Sequence, residues 1–479
     1  MRQLWRLSQR ADAGGKGDFV NQASPDRAFF PDRPTHLGGP DAPAQALARL
    51  LERTFDPHIG LIRFIAEIGM QPDEPPLHLA VAEHQNPFLV PPRSLDIVDG
   101  DIPQGSVMGT GSALDPVTAL WSTVGEAIER YALHVYDRDA LLFAPQDALD
   151  GAFLSPSDMI LFASHQFDDP AFKFRRYDPE RPIAWARGMR LGDGSPAYIP
   201  ACMAYLGYRT VSPNECIDAG YSTGGAAGPN LEAALLSGML EVIERDGFAC
   251  HWYLRRTPPE IDLADYREEL PPKLVRVLDE CSLKLRLFDL TTDLGVPTVL
   301  AVGLPARGGI AIGASARPDF GTAIEKATLE ALHTFNWIAE LRRSGDRIER
   351  REDVRAYRDH VLWHLSPERA RSFDFILQPE RRPERLPTVT TVAATHAERL
   401  DALVGRLRDC GFETFGLDLT PEEISDLDIR VARAFVPGLH PLGAGAGNEH
   451  LDRRRLQRFA DHVGMPMPDE LNLDLHPFP

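Results

Sequence analysis

Hydrophobic positions recur along this chain with two periods, and the change from one period to the other predicts the elements. Ala46, Leu47, Leu50 and Leu51 fall at helical spacing, which predicts a helix over residues 44–55 with Pro43 just ahead of it. Residues 58–65 read as a turn running into a strand, and residues 77–82 as a further strand. Helices are predicted over residues 117–134, 322–341 and 394–410. Short runs at 285–290, 298–303, 310–315, 412–417 and 431–436 predict strands. Strands mingled with helices indicate an α/β or α+β chain with a mixed sheet.

Acidic residues interrupt this pattern twice, in the same way. Ser122-x-x-x-Glu126-x-x-Glu129-Arg130 returns as Ser237-x-x-x-Glu241-x-x-Glu244-Arg245, at a constant offset (241 − 126 = 115, 244 − 129 = 115). On a helix these residues share one face. Their neighbours are apolar: Val124, Ala127 and Ile128 in the first copy, Met239, Leu240 and Ile243 in the second. Each helix is therefore predicted to be buried on nearly all sides except for a narrow acidic stripe. A single Glu-x-x-Glu-Arg is an ordinary salt-bridged face. Two copies in the same apolar setting are not, because a solvated face needs no apolar flanks on every other side. Carboxylates at i,i+3 repel, and burial aggravates it. Arg130 and Arg245 offset one charge of each pair, so facing stripes lack positive charge, which Mg²⁺ supplies most simply. The tandem copies suggest two pseudo-symmetric halves around one site rather than a repeat array.

Composition narrows the classes. Net charge is −19, from 51 basic and 70 acidic side chains, which disfavours a sequence-independent grip on nucleic acid or anionic lipid. The five cysteines are odd in number and include no Cys-x-x-Cys, which points to a reducing, cytoplasmic setting without a disulfide framework. No apolar run is long enough to span a bilayer, and the N-terminus has no signal-like core. Residues 1–40, polar and without period, read as a mobile arm, residues 41–104 as an N-terminal region ending in a polar connection at 94–104, and residues 105–479 as the main domain.

The paired helices resemble those of the YcaO domain family, ATP-dependent enzymes that activate backbone amides of peptides. The glycine-rich lead-in Ser222-Thr223-Gly224-Gly225-Ala226-Ala227-Gly228 adds to the resemblance, as does the ending Asn472-Leu-Asp-Leu-His476-Pro477-Phe478-Pro479, similar to the proline-rich tails of azoline-forming members. It runs from about Gly109 onward and implies a YcaO fold around one ATP site. It further implies cyclodehydration of Cys, Ser or Thr in a ribosomally made precursor peptide to a thiazoline or oxazoline, by phosphorylation of the amide oxygen. Glu126, Glu129, Glu241 and Glu244 would hold Mg²⁺. Ser122, Arg130, Ser222, Thr223, Glu232, Ser237 and Arg245 would face ATP, and Pro477 and Pro479 would reach the reacting centre. The resemblance also implies a separate leader-peptide-binding partner of the ubiquitin-activating-like type and a homodimer. Thioamide formation, or a non-catalytic scaffold, are the alternative outcomes.

This chain departs from the family pattern at several points. Thr110 replaces a lysine of a Gly-Lys-Gly turn within residues 109–112, and His333 replaces the glutamine of Glu-x-x-Gln after Glu330. Glu232 lies one residue from the usual register, at Ala233. Lys326 and Glu330 read equally well as an exposed i,i+4 pair. Arg255 and Arg256 follow the second helix and are expected at the surface. His360 and His364 are four apart, but Val361 stands where a zinc hydrolase needs glutamate, so they read as surface histidines. Gly443, Gly445 and Gly447 lack a strand-turn-helix setting and read as a flexible connection before Arg453, Arg454 and Arg455.

Overall fold

In the computed structural model, the described residues are 42–71, 74–86, 108–218, 220–378 and 395–478. The expected arm, the connection at 94–104 and Pro479 lie outside them. The chain begins with α1 (Ala42–Thr54), β1 (Ile62–Ile68), β2 (His78–His84), β3 (Met108–Ala113) and α2 (Pro116–Ala132). It continues through β4 (Leu142–Ala144), β5 (Ala152–Phe153), β6 (Ile183–Arg190), β7 (Pro196–Pro200) and the single turn α3 (Ala201–Ala204). Then come β8 (Gly225–Gly228), α4 (Leu231–Tyr253), β9 (Glu260–Ile261), α5 (Pro272–Glu280), β10 (Leu285–Asp289), β11 (Thr298–Gly303), β12 (Ala311–Ala316) and α6 (Phe320–Ser344). The last elements are α7 (Tyr357–Trp363), α8 (His396–Asp409), β13 (Phe415–Asp418), β14 (Arg430–Phe435) and α9 (Arg454–His462). Three sheets result: β1-β2-β3, β12-β11-β10-β9, and β5-β7-β6-β13-β14-β8 with β4 on β6. Pairings are antiparallel apart from β5 with β7, so the mixed α/β architecture read from the pattern is the one adopted. Strands β2 and β3, on either side of residue 104, pair in one sheet.

Three strand–helix units organise this layout: β3–α2, β8–α4 and β12–α6. Each helix begins on an extended polar cap whose side chain accepts the N–H three residues on: Asp115 from Thr118, Asn230 from Ala233, Asp319 from Thr322. Apolar faces then bury each helix on its own sheet. Leu120, Val124 and Ile128 of α2 join Leu47 and Leu50 of α1 and Ile62 and Ile65 of β1. Ile324, Ala327 and Ala331 of α6 pack with Leu287, Val299 and Ala311. Helix α4 lies between, against β8 and β14 and also against β12 and α8, which is why it is apolar nearly all round.

The segments expected as glycine-rich turns differ from that expectation. Residues 109–112 lie inside β3, and Gly225–Gly228 is the strand β8, paired with β14. The glycines serve close approach instead. A Cβ on Gly109 would fall 2.5 Å from the Ala127 backbone nitrogen, and one on Gly313 of β12 would fall 2.3 Å from that of Ala331. Only a residue without a side chain lets strand and helix backbones meet this closely.

The late arginines are not part of a flexible stretch. Arg455 is 2% exposed and donates from Nε and Nη2 to the fully buried Asp246 of α4, at 2.8 and 2.6 Å. The same carboxylate accepts the His440 N–H at 2.8 Å. Replacing Arg455 with Leu strands a buried charge, so the stability lost should be about 3–5 kcal/mol, measured as a lower urea midpoint at unchanged slope.

Candidate functional site

The three units repeat one geometry. Glu126, Glu241 and Glu330 each lie eleven residues past their cap (126 − 115, 241 − 230, 330 − 319). Each accepts a backbone N–H from its own unit's strand or the turn leading into it: Glu126 from Thr110 at 2.9 Å, Glu241 from Gly224 at 3.0 Å, Glu330 from Ala314 at 3.0 Å. Arg130 donates from Nε and Nη2 to the other oxygen of Glu126, at 2.8 and 2.7 Å. Arg245 Nη2 lies 3.4 Å from Glu241 and 3.8 Å from Glu244. Each arginine thus lies against carboxylates of its own helix.

Fourteen residues past the caps stand Glu129, Glu244 and His333 (129 − 115, 244 − 230, 333 − 319), and these link one unit to the next. Burial holds the Glu129 carboxyl well above the usual carboxylate range, and the charge of Glu241 across the helix gap pushes it further. Arg130 and the Ala227 N–H pull it back only in part. Burial likewise raises Glu244, with Glu330 and Glu241 adding to the shift and Arg245 and Arg317 opposing it. Glu330 is raised mainly by burial, against the pull of Arg245. His333 is held below the usual imidazole range by burial, and the charge that opposes this is Glu126. The links Glu129–Glu241, Glu244–Glu330 and His333–Glu126 run from α2 to α4, α4 to α6 and α6 back to α2. The charges of the two acidic stripes thus bear on each other, and α6 joins them through Glu330 and His333 in a ring of electrostatic interactions.

Glu330 is therefore not a member of an exposed pair, although Lys326 itself is exposed. Its packing against β12 turns it inward. The signal in the sequence was the distance from Asp319, equal to those from Asp115 and Asn230. Another residue that sequence reasoning missed is Arg433, 5% exposed on β14, whose Nη1 donates to the Ala204 carbonyl at 3.1 Å while Nη2 donates to that of Tyr221. Its charge bears on Glu241 and Glu129. An arginine inside an apolar strand was the available sign. Ser122 and Ser237 are exposed, seven residues past their caps, and Glu232 lies in the first turn of α4. The Tyr357 hydroxyl donates to the Leu442 carbonyl at 2.6 Å, and the Ser222 carbonyl accepts the Gly225 N–H at 2.8 Å. Pro477 is buried. Arg255 bonds Asp474 and Asn472, at 2.6 and 3.1 Å, and Arg256 bonds His251.

Residues 110–440 match the YcaO cyclodehydratase family, described as ATP- and Mg²⁺-binding. The chain belongs to that family. It is similar in sequence to an uncharacterized protein in the tfuA 3′ region of Rhizobium leguminosarum bv. trifolii, 28% identical over 54% of this chain and 61% of that one. In fold it is similar to a heterocyclase solved with substrate and cofactor, with a TM-score of 0.71 at 23% identity, over 91% of this chain and 57% of that one. It also resembles YcaO from Methanopyrus kandleri bound with AMPPCP and Mg²⁺, with a TM-score of 0.57 at 22% identity, over 84% and 91% of the two chains. The chain spans less than two thirds of the first two proteins, 61% and 57% of their lengths.

The ring's chemistry fits Mg²⁺ held jointly with a nucleotide. Among the described residues no three acidic, histidine or cysteine side chains close on one point as a full protein cage would. Mg²⁺ needs no such cage, since it is commonly held by one or two carboxylates plus phosphate oxygens and water. No helix among the described residues is long and apolar enough to cross a membrane. Raised carboxylate pKa values fix the sign of the proton linkage. Glu129, Glu244 and Glu330 contribute stability below the ordinary carboxylate range and lose it as pH rises through their shifted values. A cation displaces the protons they retain. Binding of Mg²⁺ with AMPPCP should therefore release protons and tighten between pH 6 and pH 8, as measured by calorimetry in buffers of different ionisation enthalpy.

Proposed function

We propose that this chain closes azoline rings in a ribosomally made precursor peptide, using ATP and Mg²⁺. The observation that supports this most is the ring of acidic side chains from α2, α4 and α6, whose burial and repulsion its own arginines leave uncompensated.

In this reading the thiol of a peptidyl Cys, or the hydroxyl of Ser or Thr, bonds to the preceding carbonyl carbon and gives up its proton. The former amide oxygen takes the γ-phosphoryl group, with ADP as leaving group. Its C–O bond then breaks to release phosphate, and the amide nitrogen loses its proton as the C=N bond forms. An amide oxygen leaves poorly in water, hence the phosphoryl donor. Bound Mg²⁺ neutralises phosphate charge, and Glu126, Glu129, Glu241 and Glu244 are the residues proposed to hold it, with Glu330 and His333 closing the ring. Arg245 Nη1 is buried with no hydrogen-bond partner among the described residues, a donor suited to a phosphate oxygen. Arg130, Ser122, Ser222, Thr223, Ser237 and Glu232 complete the proposed nucleotide contacts. The chain residues' contribution is orientation and charge balance, as in other phosphoryl transfers. A peptide substrate, a separate leader-binding protein and a second copy of the chain are the proposed partners.

ADP release should rise when a Cys-, Ser- or Thr-containing precursor peptide is added, and the peptide should lose one water per ring. Glu241→Gln keeps the shape but removes one ring charge, so turnover should fall on the order of a hundredfold at an unchanged thermal midpoint. Sulfur gained in place of water lost would indicate thioamide formation, and nucleotide bound without turnover would indicate a scaffold.

A further inference from the structure

Two motifs remain outside the site as described: the His360–His364 pair and the glycines at 443–447. Both meet the segment from Asn472 to Phe478. His360 and His364 are each 1% exposed, not at the surface as expected. The His360 and His476 rings stack, with centroids 4.1 Å apart and planes 13° apart.

Their hydrogen bonds fix both tautomers. The Gly445 N–H donates to His360 Nε2 at 3.0 Å, so the proton of that ring sits on Nδ1, which donates to the His476 carbonyl at 2.8 Å. The Phe478 N–H donates to His476 Nδ1 at 3.2 Å, so Nε2 carries that ring's proton and donates to the Gly443 carbonyl at 2.9 Å. One imidazole on α7 thus joins the glycine stretch and the C-terminal segment. Gly445, with φ +89°, is held in place and not flexible.

The segment is tied further along its length. The Asn472 N–H donates to the Tyr253 carbonyl at 2.8 Å, and Trp252 Nε1 donates to the Asp474 carbonyl at 3.1 Å, both from the end of α4. Its last described residue, Phe478, is fully buried beside Phe248, and the Arg245 guanidinium carbon lies 4.0 Å from the centre of its ring. A cation over an aromatic face is held electrostatically, and the plane of the guanidinium is held with it.

We infer that His360 is a positioning residue: it fixes the segment Asn472–Phe478, whose Phe478 ring in turn fixes Arg245 beside Glu241 and Glu244. This rests on the reading of Arg245 as a nucleotide contact. His360 touches no reacting group and acts through the segment. Glutamine offers the same donor and acceptor as this imidazole; leucine offers neither.

The test uses the full chain and two readouts: hydrogen–deuterium exchange in the segment, and affinity for AMPPCP with Mg²⁺ by calorimetry. His360→Leu should speed exchange across Asn472–Phe478 at least tenfold and weaken nucleotide binding at least fivefold, and His360→Gln should restore both. Phe478→Leu, which keeps an apolar side chain but removes the π face, should weaken binding while exchange stays slow. Unchanged exchange and affinity in His360→Leu would overturn the inference, as would a His360→Gln variant as impaired as His360→Leu. Faster exchange in His360→Leu in a protein whose wild type binds no nucleotide would uphold the clamp and refute the nucleotide reading.

Discussion

Carboxylates brought together out of water repel one another, and a fold that assembles five of them has to hold each from behind. Here one backbone N–H per unit fixes a glutamate at helix mid-length: Thr110, Gly224 and Ala314 hold Glu126, Glu241 and Glu330. That donor comes within reach only because the preceding chain lies almost on the helix backbone, as at Gly109 and Gly313. The caps then fix how far along each helix the glutamate falls. Sheets, glycines and caps can be understood as the support this repulsion requires. Charge-assisted bonds to backbone donors are among the stronger contacts available for the purpose.

The helices of two of the three units were legible in the sequence. Their signal was charge in an otherwise apolar helix, written twice with the same spacing. The third unit was hidden because Lys326 and His333 stand where the others have Ser and Glu. At i,i+4, Lys326 and Glu330 imitate an ordinary surface pair. What survives in the third copy is the eleven-residue step from cap to carboxylate, a relation between a helix end and its middle that residue-type matching does not detect. Helices α1, α2, α6 and α8 and strands β1, β2 and β10 to β14 were also legible from period. The short strands β4 to β7 and β9 and the helices α3, α5, α7 and α9 carried no periodic signal long enough to read. Strands β3 and β8 were not legible either, because glycine suggests a turn unless the helix lying against it is known.

Burial of the histidines was illegible for a different reason. His360 finds its partner 116 residues away, and no local pattern encodes such a meeting. The glycines at 443–447 looked featureless for the same reason: their carbonyl and N–H groups are committed to rings on α7 and in the C-terminal segment. Arg455 and Asp246 repeat the lesson in the core, where the arginine run after the glycines supplies a fully enclosed ion pair.

The even step from cap to carboxylate sets where the chain tolerates change in length. One residue inserted between Asp115 and Glu126 would turn everything beyond it by about 100°, swinging the carboxylate out of the circle and its apolar neighbours into it. The spacing from one unit to the next is not fixed in this way: successive caps are separated by 115 and then 89 residues (230 − 115, 319 − 230). Changes of length are thus tolerated in the loops between units and forbidden between cap and carboxylate, which leaves three rigid rulers joined by elastic cord.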